Sequence, residues 1–200
     1  MKIKEEKYYS LLALSLGDGS VYKSYLDIAH HIKNDDYILF KSKILEEFDI
    51  QHKITTKKTA TSYLERIRTN RYKIFQYIQN NLYENNVKIF RKNWIKNLHE
   101  FSLAILWMDD GCFIKQRQKL RTGKPYIYEC GEIATQSFNL ESNKNIVEWL
   151  KKFDISAYIL HDKKRDLYRI KLNRDNTYKL VEVIKPIVNR IPSMRYKLGY

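Results

Sequence analysis

Asp18 and Asp110 each end an apolar run at an Asp-Gly step: LLALSLGDG over residues 11–19 and LAILWMDDG over residues 103–111. A carboxylate at the C-terminal end of a helix meets the partial negative charge of that end, at a cost of roughly 0.3–1 kcal/mol. Two such helices packed together would add repulsion between the acids. A divalent cation relieves both penalties, and Mg²⁺ accepts one or two protein carboxylates together with phosphate oxygens. In a basic protein, a metal over a phosphate backbone points to phosphodiester hydrolysis. A single Asp-Gly is more simply a turn signal; two at matched positions weaken that reading.

The match extends beyond the two motifs. Asp27-Ile-Ala-His-His31 aligns with Glu132-Ile-Ala-Thr-Gln136, and the same register carries Phe48-Asp-Ile50 onto Phe153-Asp-Ile155. The chain therefore reads as one unit used twice. The first half covers 1–83, a linker 84–98 and the second half 99–200, with extra residues around Lys115 to Tyr128 in the second copy. Each unit reads as αββαββα, an α+β architecture. Residues 5–17 and 99–109 are apolar enough for buried helices, each left at its Asp-Gly, where Gly lets the chain exit. Residues 20–32, 51–68, 112–137 and 155–172 read as strand pairs, 35–48 and 140–153 as helices.

Composition narrows the class. A hydrophobic content of 44% exceeds that of a disordered chain. No apolar run approaches the roughly 20 residues of a membrane span, no signal-peptide pattern opens the sequence, and an intracellular setting in an unspecified compartment is expected. Cys112 and Cys130 form neither a C-x-x-C nor a Cys/His cluster and read as ordinary buried thiols. With 37 Lys and Arg against 23 Asp and Glu, the formal charge is +14. That surplus repels itself, and a nucleic-acid partner is the leading explanation, since Lys and Arg neutralise phosphates and release counterions.

The two nine-residue motifs, with Ala134-Thr-Gln-Ser-Phe138 and the tail Ile191-Pro-Ser-Met-Arg-Tyr-Lys-Leu198, resemble the LAGLIDADG homing endonucleases, in particular the monomeric two-motif, intron-encoded branch. The resemblance implies motif helices side by side on a pseudo-twofold axis and two curved antiparallel sheets presented to double-stranded DNA. It places Asp18 and Asp110 at Mg²⁺, for which Mn²⁺ can substitute, over the scissile phosphates. It implies a monomer making a staggered double-strand break in a long asymmetric site. Lys197 matches a lysine near the scissile phosphate; Lys88 is its counterpart in the first half, with Lys92 as a rival. Gln136 matches a polar residue that orients water, and its repeat partner is His31, beside His30. Asp109 departs from the pattern by replacing a small residue, and solvent exposure, weak metal binding and capping of the turn are its open roles.

Base reading would belong to the strands, since a two-stranded ribbon fits the major groove. The candidates are Lys23, Lys33, Lys53, Lys57, Lys58, Arg66 and Arg68 in the first half and Lys115, Gln116, Arg117, Lys119, Arg121, Arg169 and Lys171 in the second. Alternation puts Arg66 with Arg68, and Arg169 with Lys171, on common faces. Two rivals remain: an RNA maturase that helps its host intron splice, and a non-catalytic DNA-binding protein on the same scaffold.

Overall fold

The computed structural model describes residues 5–119 and 121–199; residues 1–4, Leu120 and Tyr200, which the expected halves include, lie outside the described residues. Helix α1 (Glu5–Leu16) opens with two acids, favourable at the positive pole of a helix, and then buries every residue from Leu11 to Leu16. A helix apolar on all sides must be covered on all sides. Its cover includes α4 (Glu100–Asp110), which is likewise buried from Ser102 to Met108 and packs against α1 at the centre of the molecule.

Around each central helix the chain repeats one pattern. In the first half β1 (Ser20–Tyr22), β2 (Tyr25–His31), α2 (Asp35–Glu47), β3 (His52–Lys58), β4 (Tyr63–Thr69) and α3 (Lys73–Leu82) follow α1. In the second β7 (Gly111–Lys119), β8 (Pro125–Ile133), α5 (Leu140–Lys151), β9 (Tyr158–Asp162), β10 (Leu167–Leu172) and α6 (Arg174–Val188) follow α4. The sheets have matching orders, β1-β2-β4-β3 and β7-β8-β10-β9, and all their pairings are antiparallel. The expected αββαββα units are thus present twice.

Each sheet buries one face. Leu26, Ile28 and Ile67 in the first sheet and Ile133, Ile170 and Leu172 in the second are fully buried, because alternation sends them together to the helix side. The opposite faces are open.

The segment joining the halves has structure of its own. Strands β5 (Tyr83–Glu84) and β6 (Val87–Lys88) form a tight hairpin. Its turn residues Asn85 and Asn86 both have positive φ, 50° and 63°, as a two-residue turn matched to strand twist requires. Phe90 and Trp94 then bury against Trp149 or one another, and Phe90 N–H donates to Ser142 Oγ in the second half. The 3₁₀ segment Pro192–Leu198 crosses the other way, with Ser193 N–H donating to Asp36 Oδ2 in the first half at 2.9 Å. The halves are therefore laced together by the connector and by the C-terminal segment.

Candidate active site

Asp18 and Asp110 stand where the two central helices end. The glycines after them serve close approach. A Cβ on Gly19 would collide with the Leu14 carbonyl, and one on Gly111 would come within 2.5 Å of Trp107 O. Gly111 has φ −82°, so its helix exits through extended backbone, not through the left-handed geometry expected for a terminal glycine.

Two lysines seal these helix ends. Lys88 Nζ donates to the carbonyls of Gly17 at 2.6 Å and Gly19 at 2.7 Å. Lys197 Nζ donates to the carbonyl of Gly111 at 2.6 Å, and Trp107 Nε1 fixes the segment by donating to Lys197 O at 2.8 Å. Lys88 and Lys197 thus occupy corresponding places, whereas Lys92 is exposed in a 3₁₀ turn. Burial pushes both amines below the ordinary lysine range, opposed by the three aspartates.

Asp109 is neither solvent-exposed nor available to a metal. Its carboxylate is fully covered. Oδ2 accepts from the Asp18 backbone N–H at 3.0 Å. Oδ1 accepts from Lys41 Nζ at 2.7 Å and from Tyr37 Oη at 2.7 Å. Lys41, on α2, is also fully buried and lies over the Tyr37 ring. Its remaining partner is His30 Nε2 at 2.9 Å. An ammonium only donates, so Nε2 accepts and the ring proton sits on Nδ1, which lies 3.4 Å from Asp18 Oδ2. Burial, then the charge of Lys41, lowers the His30 pKa to about 3, so the ring is neutral at ordinary pH. Asp18, His30 and Asp109 lie close enough to suggest a three-ligand metal site. Lys41 argues against it, because it already balances Asp109 and would repel a cation held there.

The remaining carboxylates are short of counter-charge. Burial first, then Asp109 and Asp18, raise Asp110 to about 7. Burial first, then Asp109, raise Asp18, against the pull of Lys41, Lys88 and Lys197. Asp18 keeps 41% of its side chain accessible. Two accessible or half-covered carboxylates with raised pKa suit a hard, oxygen-seeking cation, and Asp18 and Asp110 are the residues that would hold it.

His31 and Gln136 make none of the hydrogen bonds of this cluster. His31 Nδ1 accepts from Lys33 N–H and caps a short turn, while Gln136 is exposed in the turn after β8. The neighbour of His31 is the residue at the aspartate, as the alternation Leu26, Ile28, His30 toward the core could have indicated.

The basic residues divide by register. Across β2, β4 and β3, Asp27 pairs with Arg68 and Lys53, Ala29 with Arg66 and Thr55, and Leu64 with Lys57. Cross-strand partners share a face, so Lys53, Lys57, Arg66 and Arg68 all project from the open face of the first sheet. Glu132 and Lys171 in the second sheet, with Arg169 two residues on, form the mate of this arrangement. Both faces hold an acid between two bases: Arg66 and Arg68 bond Asp27, and Arg169 bonds Glu132 at 2.9 Å. Lys115 and Arg117 pair with Glu129 and Ile127, on the face that carries Phe113 and is covered by α6. Lys115 is tied there to Glu129 at 3.2 Å. From β7 it is Gln116, opposite Tyr128, that shares the open face with Lys171. Lys58 likewise projects from the helix side of its sheet. Lys23 stands exposed in the β1–β2 turn, Lys33 in the 3₁₀ turn, and Lys119 and Arg121 at the β7–β8 end. Cys130 is buried, but Cys112 is exposed, contrary to the expectation for both thiols.

Residues 11–180 match the model of the LAGLIDADG DNA endonuclease family. The chain belongs to that family. Among solved structures it resembles the homing endonuclease I-WcaI bound to its DNA recognition sequence, at 22% identity and TM-score 0.76, over 99% of this chain and 88% of that one. It also resembles I-DmoI in complex with DNA and Mn, at 19% identity and TM-score 0.51, over 90% and 96% of the two chains. A third likeness is full-length DUF199/WhiA from Thermatoga maritima, at 13% identity and TM-score 0.57, over 100% of this chain and 61% of that one. No curated protein matches in sequence. The LAGLIDADG fold is common to all three likenesses and to this chain.

Proposed function

We propose that this protein is a site-specific homing endonuclease that makes a staggered double-strand break in a long, asymmetric DNA site. The observation that carries the reading is the joint placement of Asp18 and Asp110 at packed helix ends, each end sealed by a lysine amine, between two open basic sheet faces. The halves 1–83 and 99–200 act together as a monomer through the connector 84–98. Asp18 and Asp110 hold Mg²⁺, with Mn²⁺ able to substitute. Bound there, such an ion supplies Lewis-acid polarisation of the phosphate and a water of lowered pKa. Lys88 and Lys197 lie beside the carboxylates and donate hydrogen bonds or charge toward the reacting phosphates. Gln136 orients water at the second half.

The open faces supply the DNA contacts, with Lys53, Lys57, Arg66 and Arg68 in one half and Arg169 and Lys171 in the other. Lys23, Lys33 and Arg121 add backbone contacts from the turns. Lys115 and Arg117 would reach DNA only from the far end of the long β7–β8 ribbon.

The test is cleavage of a fragmented library of intron-free host DNA with Mg²⁺ or EDTA, followed by sequencing of new ends. Discrete Mg²⁺-dependent ends at one long site, lost at least about 100-fold in Asp18→Asn and Asp110→Asn while EDTA-phase binding persists, are expected. No discrete ends from folded protein, with tight binding to intron RNA, would replace this reading by the maturase.

A further inference from the structure

The two halves repeat each other in fold but not around their aspartates. At the offset of 105 residues that carries Asp27 onto Glu132, His30 corresponds to Thr135, Tyr37 to Ser142 and Lys41 to Ile146. Asp109 corresponds to Gly17 of the other motif. None of the second-half residues repeats the first-half bonding. Thr135 turns its hydroxyl to Asn143 Oδ1 at 2.5 Å, Ser142 Oγ accepts from Phe90 N–H at 2.9 Å, and Ile146 is fully buried. Gly17 has no side chain to send across, and its missing Cβ is the space that the Asp109 side chain fills.

The consequence is one-sided. Asp109 accepts from the Asp18 N–H, and the His30 that Lys41 orients aims Nδ1 at the Asp18 carboxylate. Asp18 is thus held by a hydrogen bond at its backbone, and its carboxylate lies 3.4 Å from His30 Nδ1, both from one network that crosses the interface. The residues matching that network around Asp110 are committed elsewhere.

We propose that Asp109 and Lys41, with Tyr37 and His30, are positioning residues whose contacts reach Asp18 and not Asp110, and that they make the two strand cuts inequivalent. The inference rests on the nuclease reading given above. In this arrangement the network sets the rate of one strand's cleavage and leaves the other strand's to Asp110 and its own surroundings. A purely structural ion pair would instead affect both cuts together, since both aspartates ride on the same helix pair.

Asp109→Asn alone would strand a buried lysine, and removing one member of a buried ion pair is strongly destabilising. The decisive variant is therefore the pair Asp109→Gly with Lys41→Ile, which installs the residues that the matching positions already carry. Tyr37→Phe is the milder companion. The target duplex carries a different dye on each strand, and nicking of each strand is followed separately with Mg²⁺. Hydrogen exchange at the Asp18 amide is followed in EDTA, without DNA.

The expected result is slowing of one strand by about 10- to 100-fold, the range for residues that orient a metal's ligands, with the other strand changed less than about threefold. Protection of the Asp18 amide is lost in the same variant. Equal slowing of both strands, or no slowing of either, overturns the inference, as does an Asp18 amide that stays protected. A wild-type protein that cuts neither strand overturns the nuclease reading itself, a result distinct from a wild type that cuts and a variant that cuts both strands alike.

Discussion

Lys88 in the connector and Lys197 near the C-terminus make the same bond: each Nζ donates to the carbonyl of the glycine that follows a motif aspartate, Gly19 at 2.7 Å and Gly111 at 2.6 Å. Each amine thereby offsets the negative pole of a central helix beside the carboxylate that the pole disfavours. Lys88→Met and Lys197→Met are each expected to lower cleavage by about 100- to 1,000-fold, the usual loss for one donor at developing charge. DNA affinity in EDTA changes little, because one phosphate contact among many is removed. Strand cleavage rates and EDTA-phase affinity for the two variants check this directly.

Asp110 gives the metal-free protein a pH signature. Its folded pKa of about 7 lies above the ordinary 3.8, so the folded state favours the protonated acid. The stability this contributes is full below about pH 4 and disappears as pH rises through about 7. In EDTA at pH 8, Asp110→Asn is therefore expected to melt higher than wild type, with the gap closing as pH falls toward 4. A divalent cation competes with the proton and raises the melting point of wild type only. Melting curves between pH 4 and 8, with EDTA and with Mg²⁺, give the comparison; parallel curves for the two proteins would contradict it. His30 is common to both proteins, so its own pH dependence cancels.

Gly17 and Asp109 are coupled by space. A Cβ on Gly17 would fall within 2.5 Å of Asp109 Cβ. Gly17→Ala is expected to cost about 1–3 kcal/mol, as overpacking does. With Asp109→Gly and Lys41→Ile already made, most of that cost vanishes. A double-mutant cycle on denaturant stability measures the coupling.

Salt dependence reports how many cations on the open faces meet phosphate. Lys53, Lys57, Arg66, Arg68, Arg169 and Lys171 project there, Lys23, Lys33 and Arg121 add three from the turns, and nine neutralised phosphates give a log–log slope of about −8. Lys57→Ala is expected to flatten that slope by about 1, whereas Lys58→Ala, on the helix side, leaves it unchanged. Fluorescence anisotropy across a salt series distinguishes the two.

Much of this was written in the sequence. The two apolar runs ending in Asp-Gly gave the central helices, because only a fully covered helix tolerates so few polar positions. Alternation sent Arg66 and Arg68 to one face correctly, since the period of a strand is two. The same period explains the misses. In the long β7–β8 ribbon a single step in register separates Gln116 from Lys115 and Arg117, and only the cross-strand pairing with Tyr128, Glu129 and Ile127 decides which side each takes. His30 and His31 differ by the same single step. Lys41 was invisible for another reason. A lysine among Tyr37, Ile38, Ile44 and Leu45 reads as the polar edge of an amphipathic helix until its partner, Asp109, arrives from the other half of the chain. The short hairpin over 83–88 was hidden by strands of two residues each, too brief for any periodicity to register.

That hairpin also decides where the chain can be recombined. Lys88 is delivered to the first motif by the connector, while Phe90 of the same connector is anchored in the second half. Its two ends thus serve different masters. A hybrid joined before Lys88 would set a foreign lysine against the first motif, and one joined after Phe90 would set that anchor against a foreign second half. Exchange of halves with a relative would have to treat the connector as part of both parents.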